Sequence, residues 1–160
     1  MGALLAYELG RRLSRSYGRE PDCLIVSGLR APDRLDGEPV YSDLSDANLR
    51  AVLAEMGGAP SEVLDHPEMW EIIGPVIRSD LAMCDTYAYR AEEPLSCPLV
   101  VYGSRGDFTD DAILDAWRHH TTGPFATRMF PGDHFFFDSW PEAVAADLLN
   151  RLYDYVLDVA

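Results

Sequence analysis

The sequence contains no lysine. Its 13 basic residues are all arginines, set against 27 acidic ones, which gives a net charge of −14 and a pI near 4.4. The concentrated positive charge that a phosphate backbone requires is missing, and this argues against a nucleic-acid partner. The same deficit disfavours docking on an anionic membrane surface. No apolar run approaches the roughly 18 residues needed to span a bilayer. Repeats, low-complexity tracts and linkers are absent too. Cysteine is scarce: Cys23, Cys84 and Cys97 form an odd set with no metal-like spacing, so neither a disulfide framework nor a metal is expected, and no cofactor either. Gly2 to Leu9 includes Glu8 and no basic region precedes it, which makes a poor signal peptide. Met1-Gly2 opens like a myristoylation site, but Ala6 stands where Ser or Thr is wanted. A soluble, cytoplasmic protein with thiols kept reduced is the expectation.

What is present is a globular composition, 48% hydrophobic and 25% charged over 160 residues, enough for one compact domain spanning 1–160. Residues 3–17 read as a helix whose apolar face is marked by Leu4, Leu5, Leu9 and Leu13. Arg11, Arg12 and Arg15 fall in its final turns as a solvated, dipole-matched end. Cys23 to Gly28 is a short continuous apolar run, suited to a strand buried on both faces. Residues 29–44 are loop-like, interrupted by Pro32, Gly37 and Pro39. A helical block follows. Ser45 caps a helix to about Met56, Ser61 to Asp65 forms a short turn, and Pro67 starts a helix to about Tyr87 that Pro75 should kink or divide. Pro98 to Gly103 and Ala126 to Gly132 are two further strand runs. Asp110 to His120 forms a helix between them, and Pro141 opens a last helix through Val156. Alternation of strand and helix points to an α/β fold with three parallel strands, flanking helices and a helical insertion at about 43–90.

In such sheets ligands bind beyond the carboxyl ends of the strands. The loops selected by that rule carry Asp107 and His134, 27 residues apart and separated by one helix and one strand. Adjacent parallel strands would set them side by side, as nucleophilic hydrolysis needs: a carboxylate fixes the imidazole tautomer and the imidazole takes the nucleophile's proton. Phe135, Phe136 and Phe137 would supply an apolar wall. The alternative is an Asp capping the helix that begins near Asp110 and a loop histidine facing solvent. His119 and His120 close a helix where positive charge suits the dipole, and His66 precedes a proline in a turn. Ser27, Ser104 and Cys97 sit beside strands without the sharp elbow of an activated nucleophile and read as structural.

Several separate motifs then occur in one order: Gly57-Gly58-Ala59-Pro60 to Leu64, Pro75 to Asp80, Thr86-Tyr87-Ala88-Tyr89, and Leu95-Ser96-Cys97-Pro98. They continue with Gly103 and Asp107, Ala116-Trp117, Thr121 to Phe125, and Phe130-Pro131-Gly132-Asp133-His134-Phe135-Phe136, while Ser27 to Pro32 stands ahead of them all. In these the chain resembles the stand-alone type II thioesterases of polyketide and nonribosomal peptide assembly lines, members of the α/β-hydrolase superfamily. The resemblance implies a mobile lid at about 43–90, Asp107 as triad acid and His134 as triad base. It implies hydrolysis of acyl thioesters on the phosphopantetheine arm of an acyl or peptidyl carrier protein. Asp133 departs from the family's usual glycine, and a carboxylate there would raise the pKa of the histidine or crowd its loop. Met1 to Leu9 looks like the sequence that follows the nucleophilic serine of a Gly-His-Ser-Met-Gly elbow. The resemblance therefore implies a chain N-terminally truncated at that elbow, with Met1 at an oxyanion-hole position and the serine absent.

Two functional expectations follow. In the first the chain is part of a thioesterase, inactive alone for want of the serine. In the second it is a non-catalytic α/β protein that binds a carrier protein or another partner. A missing neighbour for the 23–28 strand would leave an apolar edge and parts of two helices uncovered, from which self-association is expected.

Overall fold

The computed structural model describes residues 1–35 and 40–157. Strands β1 (Leu24–Ser27), β2 (Leu99–Ser104) and β3 (Phe125–Phe130) form one parallel sheet in the order β1-β2-β3. Leu24 pairs with Leu99 and Leu99 with Phe125, so the three strands start level and end at a common rim. β2 is apolar along its first four residues and buried throughout, as a strand covered on both faces must be.

Helices cover the two faces. On one, Leu99 and Val101 of β2 pack with Leu24 and Val26 of β1, Tyr7 of helix α1 (Gly2–Tyr17), and Leu114 and Trp117. On the other, Val100 and Tyr102 pack with Phe130, Phe136 and Val144. Leu114 belongs to α5 (Asp111–Asp115), Phe136 to α6 (Phe136–Ser139) and Val144 to α7 (Pro141–Leu152). Between β1 and β2 lie α2 (Asp46–Glu55), α3 (Ser61–Leu64) and α4 (Pro67–Asp85). They enclose a core of their own, in which Leu49, Leu64 and Trp70 pack with Leu53, Ile73, Ile77 and Leu81. The insertion is thus a separately stabilised body joined to the rim where the strands end.

Ser45 caps α2 by accepting from the Asn48 N–H, as its sequence position predicts. Other expectations need correction. The buried face of α1 is Leu4, Tyr7, Gly10 and Arg11, while Leu5 and Leu9 are more than half exposed. Arg11 is therefore not a solvated helix end. Its guanidinium is buried, paired with Glu8 and Glu92, and donates to the Arg90 carbonyl. α4 runs through Pro75 without division, because losing one intrahelical bond is offset by packing of its inner face on the insertion core. The last α-helix stops at Leu152 and gives way to a π-helical turn, Tyr153–Leu157. The short helix α6 is where the sequence shows only an aromatic run. The predicted Gly37 and Pro39 interruptions lie outside the described residues.

Candidate active site

β2 and β3 end side by side, and their following turns are stitched together by backbone bonds. The Arg105 N–H donates to the Phe130 carbonyl at 3.0 Å and the Gly106 N–H to the Gly132 carbonyl at 2.8 Å. The buried Ser104 hydroxyl adds a bond to the Asp133 carbonyl at 2.6 Å, which gives this serine a structural role. These bonds fix two loop tips at one height above the sheet. Asp107 and His134 stand on them, with Asp107 Oδ2 2.8 Å from His134 Nδ1.

The carboxylate is constrained on both oxygens. Oδ1 accepts from the Phe108 N–H at 2.8 Å, Oδ2 faces the imidazole, and only 4% of the side chain is exposed. A buried carboxylate with its partners satisfied holds an imidazole with Nδ1 protonated and Nε2 as the basic nitrogen. Among the described residues none hydrogen-bonds Nε2. The sequence alternative, an Asp capping the helix near 110, falls to Asp110 instead, whose carboxylate accepts from the Ile113 N–H.

The ring rests against β1's end. Gly28 has φ of +63°, in the left-handed region open to glycine, and a Cβ added there would lie 2.7 Å from His134 Cε1. Any side chain at 28 would occupy the space of the imidazole. Beside the pair opens a cavity of about 460 Å³. Its walls come from three sources: Leu29 and Leu35 after β1, Phe108 and Thr109 after β2, and Met56, Leu81, Cys84 and Tyr87 of the insertion and the segment after it. Met1, at the start of α1, also lines it. No serine is among the lining residues described.

Asp133 Oδ1 accepts from the Phe135 N–H at 2.9 Å, and its other oxygen lies against Gly57 of the insertion. His120 departs furthest from expectation. It is 2% exposed, with Nδ1 2.8 Å from the Tyr7 hydroxyl and Nε2 2.9 Å from Asp33. Burial holds its pKa below the ordinary imidazole value, against the opposing pull of Asp33. A neutral ring in an aromatic nest replaces the expected dipole-facing cation. Cys97 is buried, and desolvation pushes its thiol up to about 11, which suits a structural hydrophobe rather than a nucleophile.

The sequence profile of the thioesterase domain matches residues 1–152. The chain belongs to the thioesterase family. It is 36% identical over 98% of its length to linear gramicidin dehydrogenase LgrE of Brevibacillus parabrevis, of which it covers 61%. It is 33% identical over 98% of its length to the thioesterase PikA5 of Streptomyces venezuelae, covering 54% of that protein. Among solved structures, the type II thioesterase BorB from the borrelidin biosynthetic cluster superposes with a TM-score of 0.81 at 32% identity, over 94% of this chain and 61% of that one. This thioesterase chain thus spans between about half and two-thirds of the length of these relatives. Its α/β fold, with three parallel strands flanked by helices, is theirs. Among the described residues no helix is long and apolar enough to cross a membrane, and no cluster suits a metal ion.

The pairing of the two loops was readable in the sequence only on the condition that their strands are neighbours, which the pairing of β2 with β3 meets. The seat at Gly28 was not, because a glycine ending a strand does not announce which ring will fill its missing Cβ. Tyr7 and Asp33, the partners of His120, come from elements distant in sequence and carry no local signal either.

Proposed function

We propose that Asp107 and His134 are the acid and base of a Ser-His-Asp hydrolytic site acting on acyl thioesters carried by the phosphopantetheine arm of an acyl or peptidyl carrier protein. The observation that carries this reading is the 2.8 Å contact between a nearly dry carboxylate and an imidazole at the mouth of a largely apolar cavity. In the reaction His134 Nε2 takes the serine proton as the hydroxyl attacks the thioester carbonyl. Asp107 orients the ring and stabilises the imidazolium. His134 then delivers the proton to the departing thiol, and water, activated by the same nitrogen, releases the acid. The cavity would take the acyl chain, and the 43–90 insertion, which supplies part of its wall, would act as a lid.

The serine itself is not among these 160 residues in a Gly-x-Ser-x-Gly turn. The reading therefore assigns the chain the acid–base half of the site, with Met1 at the edge of the oxyanion hole and negligible turnover alone. Support for Met1 is its position on the same cavity as His134. The test is hydrolysis of a short acyl thioester by the purified chain and by its His134→Ala variant. Both should be indistinguishable from buffer. Turnover that survives the substitution would refute these roles. Turnover that the substitution abolishes would show that a group within the chain serves as nucleophile.

A further inference from the structure

His134 has three neighbours of different kinds: the Asp107 carboxylate at Nδ1, the bare Gly28 backbone against Cε1, and the Phe135 ring, edge-on at 5.1 Å between centroids and 71° between planes. The first two belong to turns at the sheet rim. The third is 42% exposed and would be free to swing, but it is backed by the insertion. A Cβ added at Gly58 would lie 2.6 Å from Phe135 Cε2 and 3.0 Å from Cζ, so the backbone of the turn after α2 abuts the ring. Next to it Gly57, with φ of +76°, meets the Asp133 carboxylate, whose Oδ1 in turn accepts from the Phe135 N–H. Two consecutive glycines of the insertion thus seat on the two residues that flank His134.

We infer that Phe135 is a positioning residue for His134 and that the Gly57-Gly58 turn is its backstop, so that seating of the insertion on the 133–135 loop sets the orientation of the imidazole. This rests on the reading of His134 as the base but concerns what orients it. Asp107 holds one nitrogen, and the packing around the ring restricts its rotation about the Cα–Cβ and Cβ–Cγ bonds. The Gly28 backbone stands against Cε1, and the Phe135 ring packs edge-on to the imidazole. Remove the support behind Phe135 and that packing loosens. Glycine is required at 58 by the nearness of the ring and not by backbone conformation, since its φ is not positive. A side chain at 58 therefore brings no backbone strain of the left-handed kind and acts by displacing the Phe135 ring.

The test is imidazole NMR on the whole chain, with Gly58→Val, Phe135→Ala and Phe135→Leu. The buried His120 ring, held by Tyr7 and Asp33 and out of the contacts of His134, serves as the folding control in the same spectrum. In the parent chain His134 should give one set of ring signals with a downfield Nδ1 proton bonded to Asp107. Gly58→Val and Phe135→Ala should each broaden or shift those signals and speed exchange of that proton at least about tenfold, with His120 unmoved. Phe135→Leu, which keeps bulk against the turn, should restore most of the parent behaviour. His134 signals that stay in place in Gly58→Val would overturn the inference, as would equal disturbance by Phe135→Leu and Phe135→Ala. Should His134 respond as expected while His134→Ala leaves any hydrolysis intact, the positioning stands and the catalytic reading falls.

Discussion

At Gly28 a single missing methyl group decides whether the imidazole can sit where Asp107 reaches it. Gly28→Ala asks the backbone to hold an L-residue in the left-handed region, which costs about 1–2 kcal/mol, and sets a carbon against Cε1. We expect lower stability by at least that amount in urea denaturation, together with loss of the downfield Nδ1 proton of His134. A variant as stable as the parent, with that proton intact, would show that the ring does not need this seat. His120 gives a pH prediction. Its pKa is lowered in the folded chain by burial, so below about 6.5 the unfolded chain binds more protons than the folded one and stability falls as pH falls, levelling once the folded pKa is passed. His120→Asn should lose this decline. A second loss at lower pH is expected from Glu20 and Asp147. Burial opposes their ionised forms, but hydrogen bonds from Ser14, Ser96 and the Cys97 N–H to Glu20, and from Tyr102 and Arg128 to Asp147, hold both pKa values below the usual carboxylate range. Denaturation midpoints measured from pH 8 to pH 3 would show two steps in the parent and one in the variant. Residues such as these explain the limits of reading a sequence. Asp107 and His134 could be picked out because strand order brings loop tips together, whereas the fate of His120 depends on Tyr7 and Asp33, 113 and 87 residues away.

Among the elements, β2 was the most legible. Its unbroken apolar run has one meaning when helices flank it on both sides, and all six residues are buried. Leu99, fully buried between β1 and β3, should be the most sensitive kind of position: Leu99→Ala is expected to cost about 2–5 kcal/mol, read from the same denaturation curves. A cost under 1 kcal/mol would mean the sheet is looser than described. The three helices of the insertion were legible from caps and proline positions, whereas the core they share, with Ile73, Ile77 and Leu81, was not among the expectations. α1 was half legible. Its leucines suggested one face, but Tyr7 and Arg11 took the interior, because the cavity between α1 and the 90–92 segment provides partners for a guanidinium that no periodicity reveals. α6 was missed, since a four-residue helix has too few turns to show a period.

For the molecule as a whole, the sheet ends among the described residues at β1, an apolar strand paired on one side only. Beyond it, Leu5 and Leu9 on α1 and Leu149 and Leu152 on α7 stand exposed. Surface of this kind favours association, and we expect the isolated chain to elute above monomer mass in light-scattering chromatography, shifting toward monomer on dilution; a clean monomer at high concentration would refute this. The central claim is that Asp107 and His134 supply the acid and base of a thioester hydrolase. It is tested most directly by placing a Gly-His-Ser turn, on its strand, in frame ahead of Met1 and measuring release of an acyl group from carrier-protein phosphopantetheine. Turnover should appear, should fall by about 10³-fold or more in His134→Ala, and should fall by about 10²-fold or more in Asp107→Asn. Turnover that either substitution leaves unchanged would contradict the account.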